Sequence, residues 1–160
     1  QDWIDQYNTP TNTDKQQVTS VINSPPASGA GPGTRDARHA LCCNGNAAFT
    51  DRIQANIWRG DYEIGYYLGG TFRAVRSGGL TQADGDRYDL LSNPVDHSFI
   101  LLRNLLEVDR WTDVGGVYPM TDGSHRYGGM VNSAGTFVSI WVTYQSRAPI
   151  VQQLTIGDRT

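Results

Sequence analysis

Apolar and polar residues alternate with a period of two in several separate stretches of this chain, the period of strands rather than of helices. The clearest case is residues 135–145, where every position from Thr136 to Tyr144 except Ser139 is β-branched or aromatic. Alternation there puts Val138, Ile140, Val142 and Tyr144 on one face, expected to be core. Phe137, Ser139, Trp141 and Thr143 fall on the other, expected to meet a second layer or a second subunit.

The same pattern recurs upstream. In residues 49–58, Phe49, Ile53, Ala55 and Ile57 share one side with Asp51, while Arg52, Gln54, Asn56 and Trp58 share the other. Tyr62, Ile64, Tyr66 and Leu68 then continue in phase, and Arg59-Gly60-Asp61 between the two runs predicts a hairpin. Gly69-Gly70 breaks the pattern, and residues 71–75 resume it as a bent or bulged strand. Residues 16–23 (Val18, Val21, Ile22) and 150–156 (Ile150, Leu154, Ile156) predict further strands, and residues 77–86 and 112–133 predict loops.

One stretch departs from the strand period. Asn93 suits an N-cap, Pro94 a first helical position and Asp96 the positive end of a helix dipole. Val95, Phe99, Leu102 and Leu106 follow on one stripe, widened by Leu101, Leu105 and Val108. The capping pattern predicts a helix at about 93–108, with a buried strand over residues 99–102 as the competing reading. The fold expected is therefore all-β and mostly antiparallel: a jelly-roll-like β-sandwich with long Gly/Pro-rich loops and one inserted helix. Residues 1–34, with Trp3, Ile4 and Tyr7 in a polar arm followed by Ser-Pro-Pro-Ala-Ser-Gly-Ala-Gly-Pro-Gly-Thr, are expected to stand apart from a sandwich domain at 35–160.

Composition narrows the function classes. The chain has 160 residues, enough for one domain with its own core, and a net charge of −3. That balance argues against nucleic acid as a partner through this chain. Lys15 is the only lysine, and the other twelve basic residues are arginines. Cys42 and Cys43 are the only cysteines, and neighbours rarely bond to each other, so a disulfide framework within the chain is excluded and buried thiols are expected, with a bridge from one of them to another copy as the alternative. No apolar run is long enough to span a bilayer as a helix, and no signal peptide is visible.

Candidate chemistry is sparse. Asp96-His97-Ser98 and Asp122, Ser124 and His125 place triad residue types together, but neighbours in sequence rarely present a triad geometry. Asp84, Asp86 and Asp89 form a candidate calcium loop without the closing glutamate of the helix-loop-helix pattern; no other cofactor is expected. Arg59, Gly60 and Asp61 resemble the attachment tripeptide read by integrins. Trp58, Tyr67 and Trp111 are candidates for a sugar platform. Trp3, Tyr7, Phe137 and Trp141 are candidates for self-association.

Three functions follow. The leading expectation is a non-enzymatic structural domain of a virus or bacteriophage, a capsid, protruding or tail-tip domain located in the virion or outside the cell. It would assemble with copies of itself and attach to a cell-surface receptor or glycan, without membrane insertion. The alternative is a carbohydrate-binding module or lectin. The second alternative is a hydrolase using carboxylates of the loop at 84–89 with Glu63 or Glu107.

Overall fold

The computed structural model describes residues 2–6, 9–22, 38–58, 60–133 and 139–145. Among them are eleven strands and no helix: β1 (Asp2–Gln6), β2 (Gln16–Ile22), β3 (His39–Gly45), β4 (Arg52–Ile57), β5 (Asp61–Leu68), β6 (Thr71–Gly79), β7 (Arg87–Asn93), β8 (Ser98–Arg103), β9 (Leu106–Thr112), β10 (Tyr127–Ser133) and β11 (Ser139–Gln145). They form two antiparallel sheets, one of six strands in the order β1-β10-β3-β4-β5-β6 and one of five in the order β11-β2-β7-β8-β9. The expected all-β sandwich is present. The strand read at 150–156 and the breaker segment at 24–34 lie outside the described residues.

Period-two alternation builds the core. Leu41 and Cys43 of β3, Ile53, Ala55 and Ile57 of β4, Tyr62, Ile64 and Tyr66 of β5 and Met130 of β10 face inward from the six-stranded sheet. Val18 and Ile22 of β2, Tyr88 and Leu90 of β7 and Phe99 and Leu101 of β8 meet them from the other sheet. Tyr118 and Met120, from the segment after β9, close the same core. Trp111 stacks between Tyr66 and Phe99, with ring centroids 5.4 Å from each. The two cysteines follow the alternation: Cys43 belongs to this core, while Cys42 joins Ala40, Phe49 and Val131 in a small cluster on the opposite face of β3. Both thiols are free and buried.

The helix expected at about 93–108 is replaced by the β8–β9 hairpin. Its capping signals are turn signals. Asn93 Oδ1 accepts from the Val95 amide and Asp96 Oδ1 from the Ser98 amide, short-range bonds that a non-helical backbone offers equally well. His97 then takes a positive φ of 54°, and Asn104 and Leu105 take 50° and 69° at the hairpin tip. Two consecutive left-handed residues reverse the chain with the twist that paired strands require. The Phe99 and Leu101 side chains point into the core, as alternation dictates, and Leu105 and Leu106 of the supposed apolar stripe stand exposed.

At the open edge of the sandwich a polar bracket joins the sheets. Asp109 of β9 accepts from Tyr62 Oη of β5 at 2.7 Å and from Arg76 of β6 through Nε and Nη2, the latter at 2.9 Å. Burial and the Asp109 carboxylate push the Tyr62 hydroxyl up to about 12, so it stays a donor. On the other side of the core, Ser20 of β2 and His39 Nε2 of β3 meet at 2.6 Å, a second polar tie between layers. β1 and β2, drawn from the segment expected as an arm, are thus members of the two sheets. Trp3 lies in β1 and Trp141 in β11, each at the edge of its sheet among the described residues; Tyr7 and Phe137 lie outside them.

Candidate functional site

The outer face of β4 carries Arg52, Gln54 and Asn56, the set that alternates with the apolar core residues. All three are buried, Gln54 completely. Buried polar groups are tolerated when each finds a partner, and these find one another in sequence. Arg52 donates from Nε to Gln54 Oε1 at 2.8 Å, and Gln54 Nε2 donates to Asn56 Oδ1 at 2.6 Å. Asn56 Nδ2 donates onward to Glu63 Oε2 of β5 at 3.4 Å. Every donor points the same way, from a guanidinium at one end to a carboxylate at the other.

Each end of the ladder is fixed separately. Arg52 donates from Nη1 to the Phe49 carbonyl at 2.6 Å, and its Cζ sits 3.8 Å from the centre of the Tyr67 ring, a cation–π contact. Cys42 Sγ of β3 lies 3.5 Å from Gln54 Oε1 as a weak second donor. Burial pushes that thiol up to about 11 against the pull of Arg52 and Arg38, which keeps it protonated.

Beyond the ladder the face opens. Glu63, Tyr67 and Phe72 are half-buried, and Ala74 and Ser77 are exposed. Register places Ser77 opposite Glu63, Ala74 opposite Gly65 and Phe72 opposite Tyr67, with an irregularity in pairing at Ile64 and Gly65. Phe72 and Tyr67 form a tilted ring pair with centroids 5.1 Å apart. Gly65 makes this possible: a Cβ there would sit 2.5 Å from the Phe72 ring and from the Arg73 carbonyl. The ring therefore lies over bare backbone between Tyr67 and Glu63. The result is a strip with an aromatic floor, ending at a carboxylate whose Oε2 is oriented from beneath.

The sequence-derived candidates distribute differently. Of the three aromatic platform candidates only Tyr67 lies on this strip; Trp58 is buried and Trp111 stacks in the core. Gly60 is exposed, Asp61 opens β5, and the tip is held by bonds from the Trp58 amide to the Asp61 carbonyl and from the Leu80 amide to the Gly60 carbonyl; Arg59 lies outside the described residues. The aspartates of the candidate calcium loop do not converge. Asp86 is taken by Arg103 at 2.7 Å, the Ala83 amide and Asn104, and Asp89 by Arg87, Thr19 and Gln17, while Asp84 is exposed in the turn. Burial raises both carboxyls, but these donors outweigh it and hold them below the usual carboxylate range. Among the described residues no three histidine, cysteine, aspartate or glutamate side chains gather as a metal set.

Neither triad candidate has triad geometry. Asp96 caps its own turn through Ser98. Asp122, Ser124 and His125 do meet, but Asp122 Oδ1 and Ser124 Oγ both lie on His125 Nδ1, at 2.9 and 3.0 Å. A relay needs acid and nucleophile on opposite ring nitrogens. Partial burial opposes ionisation of Asp122, yet the His125 and Ser124 bonds take its carboxyl down to about 2. Glu107, the other carboxylate considered for hydrolysis, is paired with Arg110 on β9, on the opposite sheet from Glu63.

No protein-family profile matches the chain, and no curated protein matches it by sequence. Solved structures do match by shape. Sheep galectin-11, in a complex with glycerol, aligns at a TM-score of 0.57 and 10% identity, over 89% of this chain and 96% of the galectin. The carbohydrate-binding module CBM66 from Bacillus subtilis aligns at 0.52 and 10% identity, over 88% and 73% of the two chains. The CBM40 module of a Ruminococcus gnavus sialidase, bound to α2,3-sialyllactose, aligns at 0.51 and 10% identity, over 93% and 84%. At such identity the likeness establishes the β-sandwich fold. It also corrects the expectation of a viral shell or tail-tip domain, because these structures of the same shape are galectins and carbohydrate-binding modules.

Proposed function

We propose that the chain is a non-catalytic carbohydrate-binding domain that takes a sugar ring on the outer face of its six-stranded sheet, over β5 and β6. The observation that carries this reading is the half-open strip of Tyr67, Phe72 and Glu63 beside the buried ladder. Sugar recognition asks for two things at once. The apolar C–H face of a pyranose stacks on an aromatic ring, and its hydroxyls need oriented acceptors and donors. Tyr67 and Phe72 supply the first, and Glu63 and Ser77 the second. The proteins that share the sandwich, galectin-11 and the two carbohydrate-binding modules, add support from their own descriptions. Jelly-roll winding of the two sheets is part of the same reading.

A glycan array followed by saturation-transfer NMR on the hits tests it. Saturable binding is expected, with contacts concentrated on Tyr67 and Phe72. Tyr67→Ala should weaken it by at least about tenfold, the scale of losing one stacked aromatic. Val114→Ser, at a position 92% exposed in the loop after β9, should leave it unchanged. A folded chain that takes up no sugar at millimolar concentration would end the reading.

A further inference from the structure

We infer that Arg52 is the positioning residue of the strip: it grips the Tyr67 ring from beneath, so that a ligand meets one face of that ring at one fixed tilt. The inference rests on the carbohydrate-binding reading and adds to it the residue that sets the stacking surface. Arg52 and Tyr67 stand opposite each other in the β4–β5 register, so their side chains leave the same face of the sheet side by side. Arg52 is buried and Tyr67 is half-buried. The guanidinium carbon lies 3.8 Å from the ring centre, and a contact that close occupies the hidden side of the ring. The opposite side is the one left for a sugar.

The grip is itself held. The Arg52 fork donates in two directions, from Nε to Gln54 Oε1 at 2.8 Å and from Nη1 to the Phe49 carbonyl at 2.6 Å. A planar guanidinium makes both bonds and still keeps a face for a ring; an ammonium does not. Phe49 takes a φ of 56°, a left-handed backbone that a bulky residue rarely adopts. Such a conformation persists only where its surroundings over-determine it, and it marks a place worth reading for function. The Phe49 amide donates to the Asn46 carbonyl at 2.9 Å, and the ring fills the space over Gly45, where a Cβ would sit 2.5 Å from it. The same ring lies 5.3 Å from the guanidinium carbon. The unusual backbone thus turns one carbonyl toward Arg52 and seats one ring beside it.

The loop that contains Phe49 also holds the hairpin that carries both rings of the strip. Asn46 Oδ1 accepts from the amides of Thr50 and Asp51. Asp51 Oδ1 accepts from the Gly69 amide at 2.7 Å, and the Thr50 carbonyl accepts from the Gly70 amide at 3.2 Å. Gly69 and Gly70 make the turn between Tyr67 and Phe72, with φ of 59° and 76°. Residues 46–52 therefore fix Tyr67 twice, at its ring through Arg52 and at the turn that follows it through Asp51 and Thr50.

The test is a double-mutant cycle read by calorimetry on the intact chain, with lactose, cellobiose and maltose as probes. Arg52→Lys keeps the charge and loses the fork, and should weaken binding about fivefold, the scale of one partly desolvated cation–π contact. Added to Tyr67→Ala, which removes the ring, it should weaken binding no further, because the two residues act as one unit. The same fivefold loss in both backgrounds would overturn the inference, since the arginine would then act through Glu63 or through stability. So would no loss in either. A second measurement needs no substitution. Three-bond couplings of the Tyr67 side chain in the free wild-type chain should report a single χ1 rotamer, and averaged couplings would overturn the grip even if Arg52→Lys does not fold. Failure of all three sugars to bind the folded wild-type chain would remove the carbohydrate reading and the inference together, whereas sugar binding with independent losses removes the inference alone.

Discussion

The two faces of β4 are equally hidden from water and are hidden by opposite means. Inward, Ile53, Ala55 and Ile57 are covered by the second sheet. Outward, Arg52, Gln54 and Asn56 are buried as a relay of donors ending on Glu63. On the first face burial itself is the driving force, at roughly 25 cal/mol for each Å² of apolar surface removed from water. On the second, burial is a cost that the hydrogen bonds offset, and leaving any one group unpaired would expose it. One strand thus shows that low accessibility does not identify a core: an apolar face stabilises, whereas a polar one preserves geometry.

Substitutions on the two faces should separate these roles. The largest effect belongs inside. Ile57→Ala removes a side chain wholly enclosed by the inter-sheet core and should cost about 3 kcal/mol, measured by chemical denaturation. Sugar binding by the folded fraction should be retained. Next comes Gln54→Leu, which keeps the volume but strands Arg52 Nε and Asn56 Oδ1. It should cost about 2 kcal/mol and loosen Glu63, so that ligand affinity falls along with stability. A loss of stability below about 0.5 kcal/mol would mean that the ladder is not the coupled unit described.

The smallest and sharpest comparison uses one substitution twice. Cys43→Ser places a hydroxyl in the apolar core and should cost about 1.5 kcal/mol. Cys42→Ser, one residue away on the outer face, keeps a donor toward Gln54 Oε1 and should cost at most about 0.5 kcal/mol. Equal costs would show that the two faces of β3 do not differ as their neighbours imply.

Much of this architecture was legible in the alternation. The inward triplets of β4 and β5 read directly from the sequence, because a strand between two layers must sort its side chains by parity. The hairpin at Gly60 was legible for the same reason. The β8–β9 hairpin was not. Leu101, Leu102, Leu105 and Leu106 fit a helical stripe as well as a strand pair, and Asn93 and Asp96 serve turns with the bonds that would cap a helix. What decides between them is the reversal at Asn104 and Leu105, where a leucine takes a left-handed backbone that its residue type does not announce.

The candidate site was half legible. Arg52, Gln54 and Asn56 were visible as one polar side of a strand, but alternation alone expects such a side to meet solvent, so its burial and its relay of bonds went unread. Tyr67 was singled out, and Phe72 was missed, because its place over Gly65 depends on the pairing of β5 with β6. The calcium and triad candidates show the converse: Asp86 and Asp89 are each engaged by an arginine once the strands pair, and Asp122, Ser124 and His125 stay together but with acid and hydroxyl on the same ring nitrogen.

The bracket of Tyr62, Arg76 and Asp109 has a consequence for whatever lands on the strip. β5 and β6 carry the strip on their outer surface, and the same two strands are bolted through their edge to β9 of the opposite sheet. Without that bolt, the outer strand β6 would be tied to the sandwich mainly by its pairing with β5. With it they behave as a fixed shelf, and an arriving molecule spends little of its binding energy on holding the shelf still.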